Sequence, residues 1–295
     1  MRNKGISSAE KVTMARAFES SKAPEVRVCN DEIAVHFLGG KSKLLYRILI
    51  NPWLRRVFVA VTGSPLPMAI AGYVALRTRF IDEQLQACIA DGLEQLVVLG
   101  AGYDSRAYRF DELKDGIKAF EVDHPWTQDN KLSKIEKLFG SVPDYVTYVP
   151  VDFEKDDLND ELIRNGYDGN LRTLFIWEGV SYYLDPEAVD QTLAFASNIS
   201  GPGSSIVFDY LPLDVVNRAS RLPLAREFVD YVEEMGEPCK FGIESGGIEE
   251  FLSQRALSPL RDFSVQQCRQ AYHTPANKDT PVLSIFHIVH AETSP

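Results

Sequence analysis

The sequence predicts an α/β protein: a doubly wound, mostly parallel seven-stranded sheet behind an N-terminal helical cap, with a lid inserted after the fifth strand. Three observations predict it. Short, continuous apolar runs recur from Leu96 onward, separated by stretches of helical length. Strands buried on both faces alternate with crossover helices in this way. The residues before them have helical spacing instead. Glycines and carboxylates stand just after the runs, where open α/β sheets bind their ligands.

The elements follow in order. Ser7-Ser8-Ala9-Glu10 reads as an N-cap opening a helix toward Ser20. Ile33, Phe37, Leu44, Leu45 and Ile48 lie at helical spacing and predict one helix over Asp31 to Ile50, broken by Asn51-Pro52. A second break, Gly63 to Pro67, precedes a helix from Met68 to about Asp91. Strands are expected over Leu96–Leu99, Ile117–Val122, Val146–Val151, Leu171–Trp177 and Ser205–Tyr210. Leu211 to Cys239 is charged and interrupted by Pro212 and Pro223, as an inserted lid would be. A helix over Ile248–Ala256, a strand over Leu257–Phe263 and a last, antiparallel strand over Val282–His290 complete the chain. One domain is expected, divided into a cap (1–91), a core (92–210), a lid (211–247) and a final helix with an antiparallel strand pair (248–295).

Composition narrows the partners. The net charge of −11 disfavours a surface that tracks nucleic acid. Four cysteines, at 29, 88, 239 and 268, form no CxxC pair and no zinc spacing, so reduced thiols and no metal are expected. MRNKGISSAEK has no apolar leader, and the run from Pro65 to Leu76 is too short to span a bilayer. A cytoplasmic protein with no membrane partner is the expectation.

The residues after each strand carry the chemistry. Gly100-Ala101-Gly102 permits a tight turn and close approach of a ligand to backbone, although Ser105 replaces the third glycine of the dinucleotide fingerprint. Asp123 lies 21 residues beyond Gly102, placed to accept two ribose hydroxyls or simply to begin the Pro125 helix. Asp152 and Phe153 offer a carboxylate and a ring for adenine. Glu178 ends a very apolar strand, where a bare carboxylate is costly without a cationic partner. Together these read as an adenosine-type nucleotide site. They do not separate NAD from S-adenosylmethionine.

The ordered blocks Leu76-Arg77-Thr78-Arg79-Phe80-Ile81-Asp82, Val98 to Arg109, Phe120-Glu121-Val122-Asp123-His124-Pro125, Pro150-Val151-Asp152-Phe153 and Trp177 to Leu184 go further. With them the chain resembles the leucine carboxyl methyltransferase family from about Ala15 to Asp209. The resemblance implies a Rossmann-like fold and S-adenosyl-L-methionine as cofactor. It implies that Arg77, or Arg79 in its place, grips the methionine carboxylate, where a bidentate pair suits arginine. It implies that Gly100 and Gly102 pack against the cofactor, that Asp123 holds the ribose, and that Asp152 and Phe153 hold adenine, with Phe153 where relatives commonly have Leu. Glu178 would meet the amino end, and Arg16 would be a looser contact from the cap.

In-line methyl transfer from a sulfonium needs alignment above all. A carboxylate acceptor needs no base, whereas a hydroxyl benefits from one. Tyr182 and His124 are the catalytic candidates, Tyr182 and Tyr183 could line the acceptor pocket, and His36 and His273 are weaker. Arg47, Arg55 and Arg56 could attract an anionic acceptor or form a solvated helix face. The expected reaction is O-methylation of a small-molecule carboxylate or hydroxyl. Its alternatives are carboxyl methylation of a protein C-terminus, an NAD-dependent oxidoreductase, and a non-catalytic cofactor-binding protein.

Overall fold

The structure is a computed structural model that describes residues 6–152 and 155–293. Its sheet has seven strands: β1 (Gln95–Leu99), β2 (Lys118–Asp123), β3 (Val146–Pro150), β4 (Thr173–Trp177), β5 (Ser205–Tyr210), β6 (Leu257–Ser264) and β7 (His287–Thr293). Their order is β3-β2-β1-β4-β5-β7-β6. The first five are parallel, and β7 runs antiparallel between β5 and β6. The order reverses between β1 and β4, which sets a ligand crevice beyond the carboxyl ends of those two strands. The outer strand β6 carries Pro259 and a register shift between Pro259 and Arg261, both devices that blunt an exposed edge.

Four helices precede the sheet: α1 (Ser8–Ser20), α2 (Gly40–Ile50), α3 (Pro52–Thr62) and α4 (Leu66–Ala90). Between the strands lie α5 (Arg106–Arg109), α6 (Pro125–Phe139), α7 (Leu158–Arg164) and α8 (Pro186–Asn198). Then follow α9 (Leu213–Val216), α10 (Ala225–Glu234), α11 (Ile248–Ser253) and α12 (Val265–Tyr272). The Ser7 capping box with Glu10 starts α1 as the sequence implies.

Two expectations are corrected. The helix expected over Asp31–Ile50 is split into a 3-10 turn at Ala34–Phe37 and α2. Gly40 takes φ +48°, and the Asp31 carboxylate accepts from the Ala34 amide, so the chain turns where periodicity alone ran straight on. The last strand begins at His287, not Val282. The alternating residues before it, Leu283, Ile285 and Phe286, are buried against α4 instead of joining the sheet. The Leu283 amide bonds the Ala69 carbonyl at 2.9 Å, and a Cβ at Gly72 would fall 2.1 Å from the Pro281 oxygen. Gly72 is what lets this segment cross α4, and it brings Phe286 onto Tyr73, their rings stacked at 4.1 Å.

Candidate active site

Strand register assembles the site. Leu99 pairs with Val122, so Gly100 leaves the sheet beside Asp123. Val98 pairs with Ile176, so Gly100 and Glu178 emerge side by side across the reversal point. Asp123 itself pairs with Pro150, two residues before Asp152. Gly100, at φ +65°, is pressed against Val180: a Cβ there would lie 2.8 Å from the valine methyl. The Asp123 carboxylate accepts from the Gly102 amide and, at 2.6 Å, from its neighbour His124. Burial pushes the Asp123 carboxyl above its ordinary value, and these two amides pull against that rise. Asp152 pairs with Lys155. Phe153 lies outside the described residues.

Behind this rim runs a continuous buried chain of charge. Asp209 meets Arg77 Nη1 at 2.6 Å, and Arg77 Nε donates to Glu178 at 3.0 Å. The other Glu178 oxygen takes Arg106 Nη1 at 2.8 Å. Arg106 also holds Asp104 and Asp82, Arg109 joins Asp82 at 3.0 Å, and Asp31 links Arg109 to Arg16. Arg77 is thus committed to two carboxylates of its own chain, a role the sequence did not suggest. Arg79 is half exposed and paired with Glu83, outside this chain of charge. Arg16 reaches Asp31 and the Tyr103 carbonyl. Burial works against the Glu178 charge, but Arg77 and Arg106 outweigh it and hold the carboxyl well below the usual carboxylate range.

The sequence reading missed Asp209, Asp104, Asp82, Arg106 and Tyr73 as site residues. Asp209 left a signal: it is the one acid in the apolar strand Ser205–Tyr210, the same argument that singled out Glu178. It is fully buried, and it takes the Tyr73 hydroxyl and the Gly179 amide as well as Arg77. Arg106 and Asp104 stood inside the quoted motif without a role. Glu121 of that motif is structural: its ion pair with Lys131 at 2.6 Å, both side chains buried, fastens α6 to β2.

Beside the charged chain lies an apolar cavity of about 230 Å³. Tyr73, Arg77 and Tyr182 form its inner end, α1, α2, α3 and α4 contribute walls, and Phe228, Tyr231, Val232 and Met235 close it from α10 and its end. Three hydrogen bonds tie α1 to this cover: Ser8 Oγ donates to Glu237 at 2.6 Å, and Lys11 Nζ to the Tyr231 hydroxyl at 2.9 Å and to Met235 Sδ at 2.8 Å. Tyr182 is buried against Tyr183 and Phe286. Burial pushes the Tyr73 and Tyr182 phenols well above their ordinary range, so both stay protonated. His124 is exposed, caps α6 by accepting the Trp126 amide at 3.2 Å, and does not line the cavity. His36 and His273 do not line it either.

The site suits S-adenosylmethionine on three counts. The ion-paired chain joins four arginines (16, 77, 106, 109) to five carboxylates (31, 82, 104, 178, 209). That leaves one buried negative charge that a cation would offset, and a zwitterionic amino acid bearing a sulfonium carries one net positive charge. Arg106 Nη2 is buried with no hydrogen-bond partner among the described residues, a donor left for a carboxylate. Around Gly102, a Cβ would meet nothing closer than Ala9 at 3.6 Å, so the turn beside Asp123 is open.

Comparison with known proteins agrees. The model of one family, leucine carboxyl methyltransferase, matches residues 9–197. A Bacillus subtilis (strain 168) relative, provisionally named an S-adenosyl-L-methionine-dependent methyltransferase, is 28% identical over 90% of this chain and 82% of its own length. A Mycobacterium avium (strain 104) relative with the same provisional name is 36% identical over 52% of this chain and 49% of its own. Among solved structures, a provisionally assigned methyltransferase from Thermobifida fusca aligns over 97% of this chain and 96% of its own, with a TM-score of 0.58 at 16% identity. A DUF574 family protein from Streptomyces avermitilis aligns over 94% and 100%, with a TM-score of 0.57 at 12% identity.

Proposed function

The chain belongs to the leucine carboxyl methyltransferase family and is an S-adenosylmethionine-dependent methyltransferase; we propose that it methylates an oxygen, foremost a carboxylate, of a small apolar molecule held in the cavity. The observation that carries this reading is Arg77. It lines the cavity and bonds Glu178, at the reversal point of the sheet. The two proposed half-sites would therefore meet at this one residue.

The donor supplies an activated methyl on a sulfonium, so the protein's work is alignment and exclusion of water. Asp123 would take the ribose hydroxyls, held in position by the Gly102 and His124 amides. Asp152 and Phe153 would flank adenine. The Arg77–Glu178–Arg106 group would hold the amino-acid end, with Arg106 Nη2 the free donor and Glu178 the ionised acceptor. Gly100 keeps backbone, not side chain, at the crevice.

The acceptor's chemistry follows from its surroundings. Tyr73 and Tyr182 stay protonated, and Glu178 is held ionised by two arginines. A phenol that keeps its proton donates hydrogen bonds but takes no proton, and a carboxylate of such low proton affinity is a poor base. With no base among these three, the inner end of the cavity suits an acceptor oxygen that is already ionised or strongly acidic, as a carboxylate is at neutral pH. Apart from Ser8, Lys11 and Glu237 where α1 meets the cover, the rest of the cavity offers hydrocarbon and ring faces, so the acceptor's body is apolar. At about 230 Å³, the cavity is smaller than the roughly 300–1,000 Å³ of typical drug-sized sites. α10 acts as the lid, and its latches to Ser8 and Lys11 are the contacts an entering acceptor has to part.

The test is transfer from methyl-tritiated S-adenosylmethionine to a panel of apolar carboxylic acids and phenols. Methyl esters release volatile tritiated methanol in alkali, and that release is the expected outcome. Alkali-stable label found on nitrogen or carbon would contradict the proposal. Label on a phenolic oxygen would keep O-methylation and move the acceptor to the acidic hydroxyls.

A further inference from the structure

The α2–α3 hairpin differs from the rest of the surface in charge and in apolar exposure. Between Ile33 and Leu76 stand Lys41, Lys43, Arg47, Arg55 and Arg56 and none of the chain's 42 acids, in a protein of net charge −11. Trp53, Val57 and Val61 recur every fourth residue along α3, with Leu54 beside them, and so share one face. That face is turned to solvent: Trp53 is 68% and Val61 81% exposed, and no residue of α3 is buried. Leu44 on α2 is exposed as well, flanked by the exposed Lys43 and Arg47. Lys43, Arg47 and Arg56 make no ion pair among the described residues. Two acids border the hairpin and accept from serines there: Glu10 from the buried Ser42 of α2, and Glu227 from Ser64.

We propose that this hairpin is a docking surface for an anionic lipid bilayer. A surface helix with aromatic and aliphatic residues on one side and arginines around them lies in the headgroup layer, its apolar face inserted and its cations on lipid phosphates. The charge argument selects this occupant. The acidic remainder of the protein is repelled by an anionic bilayer, so the basic α2–α3 hairpin sets the orientation. No helix of the described residues is long and apolar enough to cross a membrane, and surface docking needs none. It revises the sequence-based expectation of no membrane partner. The inner side of the same hairpin supplies Leu45, Leu49 and Phe58 to the cavity wall. An acceptor dissolved in the bilayer would then reach the cavity from lipid, a consequence that rests on reading the cavity as the acceptor site. The docking itself does not rest on that reading.

The test is co-sedimentation of the full chain with vesicles of phosphatidylcholine alone or with one-third phosphatidylglycerol, at low and at high salt. Binding to the anionic vesicles at least tenfold stronger than to neutral ones, and weakened by salt, is expected. In the Trp126→Phe protein, Trp53 is the exposed indole that remains, and its emission should shift to the blue on binding. Val57→Asp with Val61→Asp, and separately Arg47→Glu with Arg56→Glu, should abolish sedimentation while leaving the melting temperature unchanged, because these side chains are exposed. Absence of vesicle binding at low salt would overturn the proposal. So would sedimentation that survives both pairs of substitutions. Self-association that Val57→Asp with Val61→Asp removes, without vesicle binding, would assign the face to a second copy of this chain and also overturn it. None of these readouts depends on methyl transfer.

Discussion

The two halves of the proposed active site are built on opposite principles. The half beyond β1, β2 and β4 is a lattice of fixed charge, in which Arg77, Glu178 and Arg106 each answer to at least two partners. The half beneath α10 is a greasy chamber assembled from five helices, with α1 hydrogen-bonded to its cover through Ser8 and Lys11. A charged lattice has one arrangement, because displacing any member strands a buried charge. An apolar chamber tolerates substitutions of similar volume. On the proposed reading, cofactor geometry is locked while acceptor choice is free to vary with the lining.

The strongest way to break that comparison is to cut the lattice at its innermost point. Asp209→Asn leaves the shape of the side chain and removes the charge facing Arg77. Loss of one partner from a buried pair costs about 3–5 kcal/mol, to be read from denaturant unfolding. A loss below about 1 kcal/mol would mean that the lattice does not lock the fold.

A smaller effect separates the lattice from the sheet on which it rests. Arg16 and Arg109 outweigh the burial of Asp31 and keep its carboxyl low, as Arg77 and Arg106 do for Glu178. Both should therefore stay ionised well into acid. His290 on β7 behaves oppositely. Burial, with Arg261 nearby, pushes its imidazole down to about 4, while its ring nitrogens sit 3.2 Å from Gln84 Oε1 and 2.9 Å from Ser205 Oγ. Between pH 6.5 and 4 the unfolded chain binds this proton and the folded chain does not. Stability is therefore complete above about pH 6.5 and falls by up to about 3 kcal/mol as pH drops toward 4. His290→Gln should flatten that slope in unfolding midpoints measured across the range. An unchanged slope would place the acid sensitivity in the lattice instead.

The same contrast explains what the sequence disclosed. Five parallel strands announced themselves because runs such as Leu96–Leu99 have to be apolar on both faces. Gly100, Asp123 and Glu178 were legible because strand ends are where such sheets bind, and register then put them side by side. Arg106 and Asp104 lay within a visible motif, but their roles are spatial: Arg106 reaches Asp82, 24 residues back, and Glu178, 72 residues on. Of the chamber, the covering segments, the cap and the stretch after β5, were legible, but few of its lining residues beyond Tyr182 and Tyr183 were. Phe58, Phe228 and Phe286 meet there from three distant segments, and no local period encodes that meeting. The segment before β7 misled for a related reason: an alternating pattern records that every second residue is buried, and α4 buries Leu283 and Ile285 as well as a sheet would.

On the proposed reading, cofactor and acceptor occupy separate halves that join at Arg77. Calorimetric titration of S-adenosylmethionine into the wild-type protein, Asp123→Ala and Phe228→Ala tests it most directly. The account predicts one site per chain, with affinity lowered by about 1.5–3 kcal/mol in Asp123→Ala, the worth of hydrogen bonds to a charged group, and unchanged in Phe228→Ala. Equal affinity in wild type and Asp123→Ala, or loss of binding in Phe228→Ala, would contradict it.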